Sequence, residues 1–230
     1  MARRHAIFAD ENNLRLPDDA FSFEGFLRWL DSGDFPETGR IDYLGGDIEV
    51  DMSPEDIFTH GAPKAAITSK LHVLVAEAGR GFVCTDSTRL GFRFSELSTE
   101  PDVVVVLRES LETGKVRLTP STPRKGPGRY SGLEGAADLV VEIVSDSSVS
   151  KETERLPPLY AQAGVPELWL VDARGEDIQF SILTLRRGSY EALEPDADGW
   201  TPSLQLDCSF RLTRIHQPWA GPSVYKLENR

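Results

Sequence analysis

Cysteine is scarce. The 230 residues contain two, Cys84 and Cys208, too few for a zinc site of the C-x-x-C type. Both sit among β-forming residues, in GFVCTD and QLDCSF, and read as buried, reduced thiols. No stretch approaches the roughly 20 apolar residues that a membrane helix needs. The opening MARRHAIFADENN places no apolar run after its arginines, so it does not read as a secretory signal. A cytoplasmic protein with no membrane partner is the expectation. Positive charge is also short: 25 Lys and Arg stand against 37 Asp and Glu, a formal net charge of −12. That argues against a protein that coats DNA non-specifically, because phosphate neutralisation needs clustered basic side chains. It leaves room for an enzyme with a local basic patch, or with a metal that holds phosphate. Neither a Gly-x-Ser-x-Gly elbow nor a Gly-x-x-x-x-Gly-Lys-Ser/Thr loop occurs, so Ser145–Ser148 is not read as a nucleophile and no phosphate cradle is expected.

What is present suits a globular chain: 40% hydrophobic and 27% charged residues can build a real core. The pattern predicts one domain over residues 1–230, with a core spanning about 20–190 and a C-terminal extension, 191–230. Residues 21–32 carry apolar positions at helical spacing, with Asp18, Asp19 or Ser22 as the cap. Residues 40–52 alternate around Gly45-Gly46 and predict a β-hairpin. Ser53-Pro54 reads as a helix start, and Ala65, Ile67, Leu71, Leu74 and Val75 as the buried stripe of a helix over 57–78. Three strands follow, the last being the continuous apolar run after Pro101-Asp102. Residues 113–131 then break the pattern with proline and glycine. They carry Lys115, Arg117, Arg124, Lys125 and Arg129 and no acid, a loop or short hairpin of reversed charge. ADLVVEIVS is another strand, KETERLPPLYAQAG a helix kinked or started late at its prolines, ELWLVDARG a strand, and the tail from Thr201 short strand or coil. The order predicts an α/β (α+β) fold around one mixed sheet flanked by helices.

Glu142 is the most informative residue. It lies inside Val140–Val144, a run that should be buried, where a lone ionised carboxylate needs a metal, a cationic side chain or hydrogen-bond donors. An open strand face or an arginine partner would satisfy it equally. Asp102 opens the other apolar run, with Glu100 two residues earlier on the same face; it also reads as a turn aspartate after proline. Two carboxylates on neighbouring strands make an oxygen-rich site suited to Mg²⁺ or Mn²⁺. A metal so held can generate hydroxide and stabilise charge on a phosphoryl oxygen.

Glu100-Pro101-Asp102, a spacer and Glu142-Ile143-Val144 resemble the PD-(D/E)xK nuclease superfamily. More narrowly, several segments resemble the Uma-type restriction endonuclease family. They are Tyr43-x-x-Gly-x-Ile48, Met52-Ser53-Pro54 with His60 downstream, Pro101–Val106, Leu139–Ser148 and Tyr160-x-x-x-Gly164–Asp172. The likeness spans about residues 20 to 190. It implies a restriction-endonuclease-like core and metal-dependent phosphodiester hydrolysis, with DNA as substrate and Asp102, Glu142 and the Ile143 backbone carbonyl as metal ligands. Glu49 is a further acidic candidate. The superfamily's lysine is expected two residues after the glutamate, where Val144 stands. Lys151 and Arg155 on the following helix are the replacements the resemblance suggests, to orient water or stabilise the pentavalent phosphorus; both also read as ordinary surface cations. His60 is either a metal-shell or acid–base group or a helix histidine bonded to backbone. The basic residues of 113–131 would contact backbone phosphates, and a homodimer is expected for a duplex cutter. The competing readings are an inactive module for binding or dimerisation, favoured by Val144 and the −12 charge, and a hydrolase of another phosphoester such as RNA.

Overall fold

The computed structural model describes residues 14–36, 39–120, 128–218 and 221–230. Helix α1 (Phe23–Leu30) begins at Ser22, whose hydroxyl accepts from the Gly25 N–H at 3.2 Å, one of the donors a helix start leaves free. Its buried Phe23, Phe26 and Trp29 pack on Ile41 and Tyr43 of strand β1 (Arg40–Leu44). β1 turns into β2 (Asp47–Asp51) through Gly45 and Gly46, both at positive φ (58° and 106°), where glycine carries no Cβ penalty. The register sets Asp42 opposite Glu49.

The helix expected from Ser53 starts later. Asp56 caps it, accepting from Phe58 N and Thr59 N, while Ser53 N–H bonds back to Asp51. A π-type turn, Ile57–Gly61, leads into α2 (Ala62–Leu71), and a second, His72–Glu77, continues it. The buried face runs His60, Lys64, Ile67, Leu71, Val75, so two cationic side chains extend the apolar stripe at its N-terminal end.

Strands β3 (Gly81–Thr85), β4 (Arg89–Phe92), β5 (Leu97–Thr99) and β6 (Val103–Leu107) follow, then a short α3 (Arg108–Glu112). The basic stretch forms a hairpin of β7 (Val116–Pro120) and β8 (Tyr130–Gly135). Next come β9 (Leu139–Ile143), a π-type turn (Lys151–Arg155), α4 (Leu156–Ala163) and β10 (Glu167–Asp172). Pro157 and Pro158 occupy the first turn of α4, where a missing N–H costs little, and Gly164 ends it in the left-handed conformation. β11 (Gln179–Arg186) and β12 (Ser189–Ala192) are an outer hairpin.

The strands make two six-stranded sheets where one was expected. The first runs β2-β1-β5-β4-β8-β7, parallel at β4/β8, and the second β12-β11-β10-β9-β6-β3, parallel at β9/β10. The short β5, unmarked by any long apolar run, pairs with both β1 and β4 and so completes a separate sheet. The residues from Thr201, read as short strand or coil, are strands: β13 (Thr201–Ser203), β14 (Cys208–Ile215) and β15 (Val224–Asn229) build a third, antiparallel sheet. Its Phe210, Leu212 and Leu227 join Ile67, Leu71 and Val75 against one face of the second sheet, at Val103, Val105, Leu139, Val141 and Trp169. The opposite face, Val104, Val106, Val140 and Leu168, packs on Leu156 and Tyr160 of α4 and on Leu90 and Leu97 of the first sheet. Covering on both faces explains the near-continuous apolar strands. Cys84 and Cys208 are free and half-buried rather than fully buried. No helix among the described residues is long and apolar enough to cross a membrane.

The fully buried Glu167 anchors the third sheet. Its carboxylate accepts from Trp169 Nε1 (2.7 Å), Ser203 Oγ (2.6 Å), Leu204 N (2.8 Å) and Gln205 N (3.2 Å). Glu167→Ala strands these donors, and urea denaturation should show a loss of about 3 kcal/mol. A loss under 1 kcal/mol would mean that water replaces the carboxylate.

Candidate metal centre

The second sheet faces Asp102 and Glu142 toward each other. β6 and β9 are antiparallel, with Val103 opposite Val141 and Val104 opposite Val140. Continuing the register by one step sets Asp102 opposite Glu142, on the α4 side of the sheet, and directly opposed side chains lie close enough to interact. Asp102 is fully buried and Glu142 nearly so. Glu152, carried by the turn before α4, joins them: one carboxylate oxygen from each of Asp102, Glu142 and Glu152 lies within 4.8 Å of the other two.

The three carboxylates differ electrostatically. Burial raises the Glu142 carboxyl to about 7, and the Asp102 charge adds to this, while the hydrogen bond from Tyr160 Oη to Glu142 Oε1 (2.5 Å) works the other way. Burial and the charges of Glu142 and Asp102 push Glu152 up to about 8. Its Oε1 accepts from Ser148 Oγ at 2.8 Å; its Oε2 is buried without a hydrogen-bond partner. Burial would raise Asp102 too, but His60, Arg40 and Lys64 outweigh it and hold that carboxyl well below the usual carboxylate range. Its Oδ2 accepts from Ile143 N (2.7 Å) and lies 3.3 Å from His60 Nε2. Its Oδ1 meets Lys64 Nζ at 3.1 Å and Arg40 Nη2 at 3.3 Å.

These three cations also meet Glu55 and Asp86. His60 Nδ1 lies 3.1 Å from Glu55 Oε2, and Lys64 Nζ is 2.9 Å from Glu55 and 2.8 Å from Asp86. Burial disfavours the charged imidazole, yet contact with Asp102 and Glu55 raises His60 to about 9. Beside them a cavity of about 340 Å³ is lined by Arg40, Glu55, His60, Ser145 and Ser147.

The remaining residues singled out in the sequence fall in several places. Lys151 is buried, and its Nζ reaches Asp42 Oδ2 at 2.6 Å, with Asp42 Oδ1 in turn accepting from Glu100 N at 3.1 Å. Glu100 directs its carboxylate to Arg89. Glu49 lies beside Asp42 on β2, but its carboxylate is paired with Arg155 and is not grouped with Asp102 and Glu142. Arg155 also lies 3.7 Å from Asp47 and makes no ion pair with the central carboxylates. One helical turn thus places Lys151 and Arg155, at i and i+4, on two neighbouring acids of the β1–β2 hairpin. Ile143 enters the centre through its N–H. In the basic hairpin Lys115 pairs with Asp138 at 3.0 Å, Arg117 and Arg129 are exposed, and Arg124 and Lys125 lie outside the described residues.

Arg40, Asp42, Glu55, Lys64 and Glu152 were not singled out by sequence reasoning, and Tyr160 was noted only as part of a family-like segment, not as a site residue. Lys64 follows His60 by four residues on the stripe that buries Ile67 and Leu71, a spacing that could have identified it. Asp42 sits between the buried Ile41 and Tyr43, and period-two alternation placed it on the far face without saying what covers that face.

A family model described as Uma2, putative restriction endonuclease, matches residues 23–214. Among solved structures, that of a putative nuclease belonging to DUF820 from Anabaena variabilis is similar to this chain with a TM-score of 0.58 at 20% identity, over 80% of this chain and 90% of that one. The likeness shows a shared mixed α+β fold. No curated protein matches the chain.

Proposed function

The chain belongs to the Uma2 putative restriction endonuclease family, and on that footing we propose that it is an endonuclease that hydrolyses phosphodiester bonds in DNA with a divalent metal, Mg²⁺ or Mn²⁺, held by Asp102 and Glu142. The observation that carries this is the unpartnered, buried Oε2 of Glu152 beside those two carboxylates. Three carboxylates in a dry site are stable only if protonated or if a cation joins them. An all-oxygen donor set suits a hard ion. When bound, such an ion supplies charge stabilisation at the phosphoryl oxygens and lowers the pKa of a water.

The chain's own residues supply the rest. Ile143 N–H and the cations fix the Asp102 carboxylate, and Tyr160 fixes Glu142. Asp42 immobilises Lys151, whose ammonium supplies positive charge near Glu142 in place of the lysine absent at Val144. Arg117 and Arg129 of the basic hairpin offer exposed guanidinium groups for backbone phosphates. A two-fold dimer would present two such centres to the strands of a duplex.

One observation favours the alternative, an inactive binding or dimerisation module: Asp102 is already neutralised by three side-chain cations. Plasmid DNA incubated with Mg²⁺ or Mn²⁺ separates the two. Cleavage that requires the ion, stops on chelation and is lost in both Asp102→Asn and Glu142→Gln is expected. Cleavage surviving both substitutions, or none by wild type, would remove the nuclease assignment.

A further inference from the structure

We propose that this centre holds a single divalent ion per chain and that Arg40, backed by His60 and Lys64, takes the place of a second ion as the cation that contacts the scissile phosphate. The inference rests on the metal-dependent reading above. A second set of donors does exist: single ligand atoms of Glu55, His60 and Asp102 also lie within 4.8 Å of one another. Both sets share Asp102, as two-metal nuclease sites share a bridging carboxylate. Their surroundings differ in sign.

On the Glu55 side three cationic groups, Arg40, His60 and Lys64, face three carboxylates, Asp102, Glu55 and Asp86, at 2.8 to 3.8 Å. That side is charge-balanced without an ion, and an added divalent cation would meet three positive charges at close range. On the other side neither Glu142 nor Glu152 makes an ion pair among the described residues: Lys151 and Arg40 both act on Glu142, but Lys151 is committed to Asp42 and Arg40 to Asp102 and Glu55. Only on that side are carboxylates left without an ion-pair partner for a divalent ion to join.

Arg40 is placed for an anion. Its guanidinium contacts Glu55 at 3.4 Å and Asp102 at 3.3 Å, and it lines the 340 Å³ cavity with His60, Ser145 and Ser147 on one hand and the acidic Asp51 and Glu55 on the other. An ion bound by Asp102 withdraws negative charge from the contact with Arg40. The planar donor fork can then turn to phosphate oxygens, which it fits two at a time. Lys64, buried among Glu55, Asp86 and Asp102, holds those carboxylates in place and is a positioning residue.

Calorimetry with MnCl₂ on the full chain tests the ion count. One ion per chain is expected, lost in Glu142→Gln and retained in Glu55→Gln. Two ions, with one lost in Glu55→Gln, would overturn the inference and leave the nuclease reading standing. No bound ion would overturn both. The clamp is then tested by titrating the Mn²⁺-loaded protein with thymidine 5′-monophosphate. Arg40→Ala should weaken that binding by about tenfold or more with the Mn²⁺ affinity undiminished, and Arg40→Lys should recover part of the loss. Nucleotide binding as tight in Arg40→Ala as in wild type would overturn the assignment of Arg40.

Discussion

Glu142→Gln is expected to move stability and activity in opposite directions. At pH 8 the metal-free protein should gain about 2 kcal/mol, because the substitution removes a buried charge whose cost is of the order of 1.4 kcal/mol per unit of raised pKa. Glutamine keeps the shape and an acceptor for Tyr160 Oη, so little packing is lost. Metal-dependent cleavage should fall by at least about 10²–10³-fold, the usual cost of deleting one preorganised charge from a phosphoryl-transfer site. Urea denaturation in the presence of a chelator, set beside a cleavage assay of the same preparation, measures both. A variant less stable than wild type at pH 8 would show that Glu142 is a satisfied structural anion, and the case for a cation at this place would go with it.

The second large effect is the response of the metal-free protein to pH. Glu142 and Glu152 titrate in the fold at about 7 and about 8, above the 4.5 of an ordinary glutamate, and His60 at about 9, above 6.5. In all three the folded state binds protons more tightly than the unfolded chain. Each contribution to stability is therefore complete below the ordinary value and is lost as pH rises through the folded one. The window runs from about pH 4.5 to about pH 9, and the melting temperature should fall steadily across it. Asp102 and Glu55 are shifted the opposite way, so their contributions disappear only in acid, below this window. Saturating Mn²⁺ should flatten the decline, because the ion replaces the protons that the carboxylates release. A melting temperature that rises from pH 5 to pH 8 with chelator present would contradict the whole electrostatic account.

The acidic pair was legible because a charged residue inside an apolar strand has few explanations. Asp102 and Glu142 stand out against Val103–Val106 and Val140–Val144, and the antiparallel register of β6 and β9 turns that anomaly into proximity. Glu152, and the burial of Lys151 beside it, illustrate what was not legible. In SKETER every side chain looks solvated, and an ordinary helix exposes at least one of two adjacent residues. The π-type turn widens the backbone there, and both become buried. Lys64 was concealed by the opposite circumstance, since it continues an apolar stripe that invites only hydrophobic packing. The first sheet was not seen as separate because the strand that joins β1 to β4, Leu97–Thr99, is too short to alternate visibly. Arg40, Glu55 and Asp86 each look like surface charge alone; only the convergence of distant segments gives them a role.

The β9–α4–β10 crossover has a consequence for how the centre could be inherited or rebuilt. Glu142, Lys151, Glu152 and Tyr160 lie within one continuous stretch of 19 residues, so closing that part of the centre costs little chain entropy. Arg40 and Asp102 are separated by 62 positions and meet only when the two large sheets have assembled. A circularly permuted chain that leaves residues 139–172 unbroken would carry the acid-rich half as a ready-made cassette, while the counter-charges around Asp102 would have to be supplied afresh by the rest of the molecule.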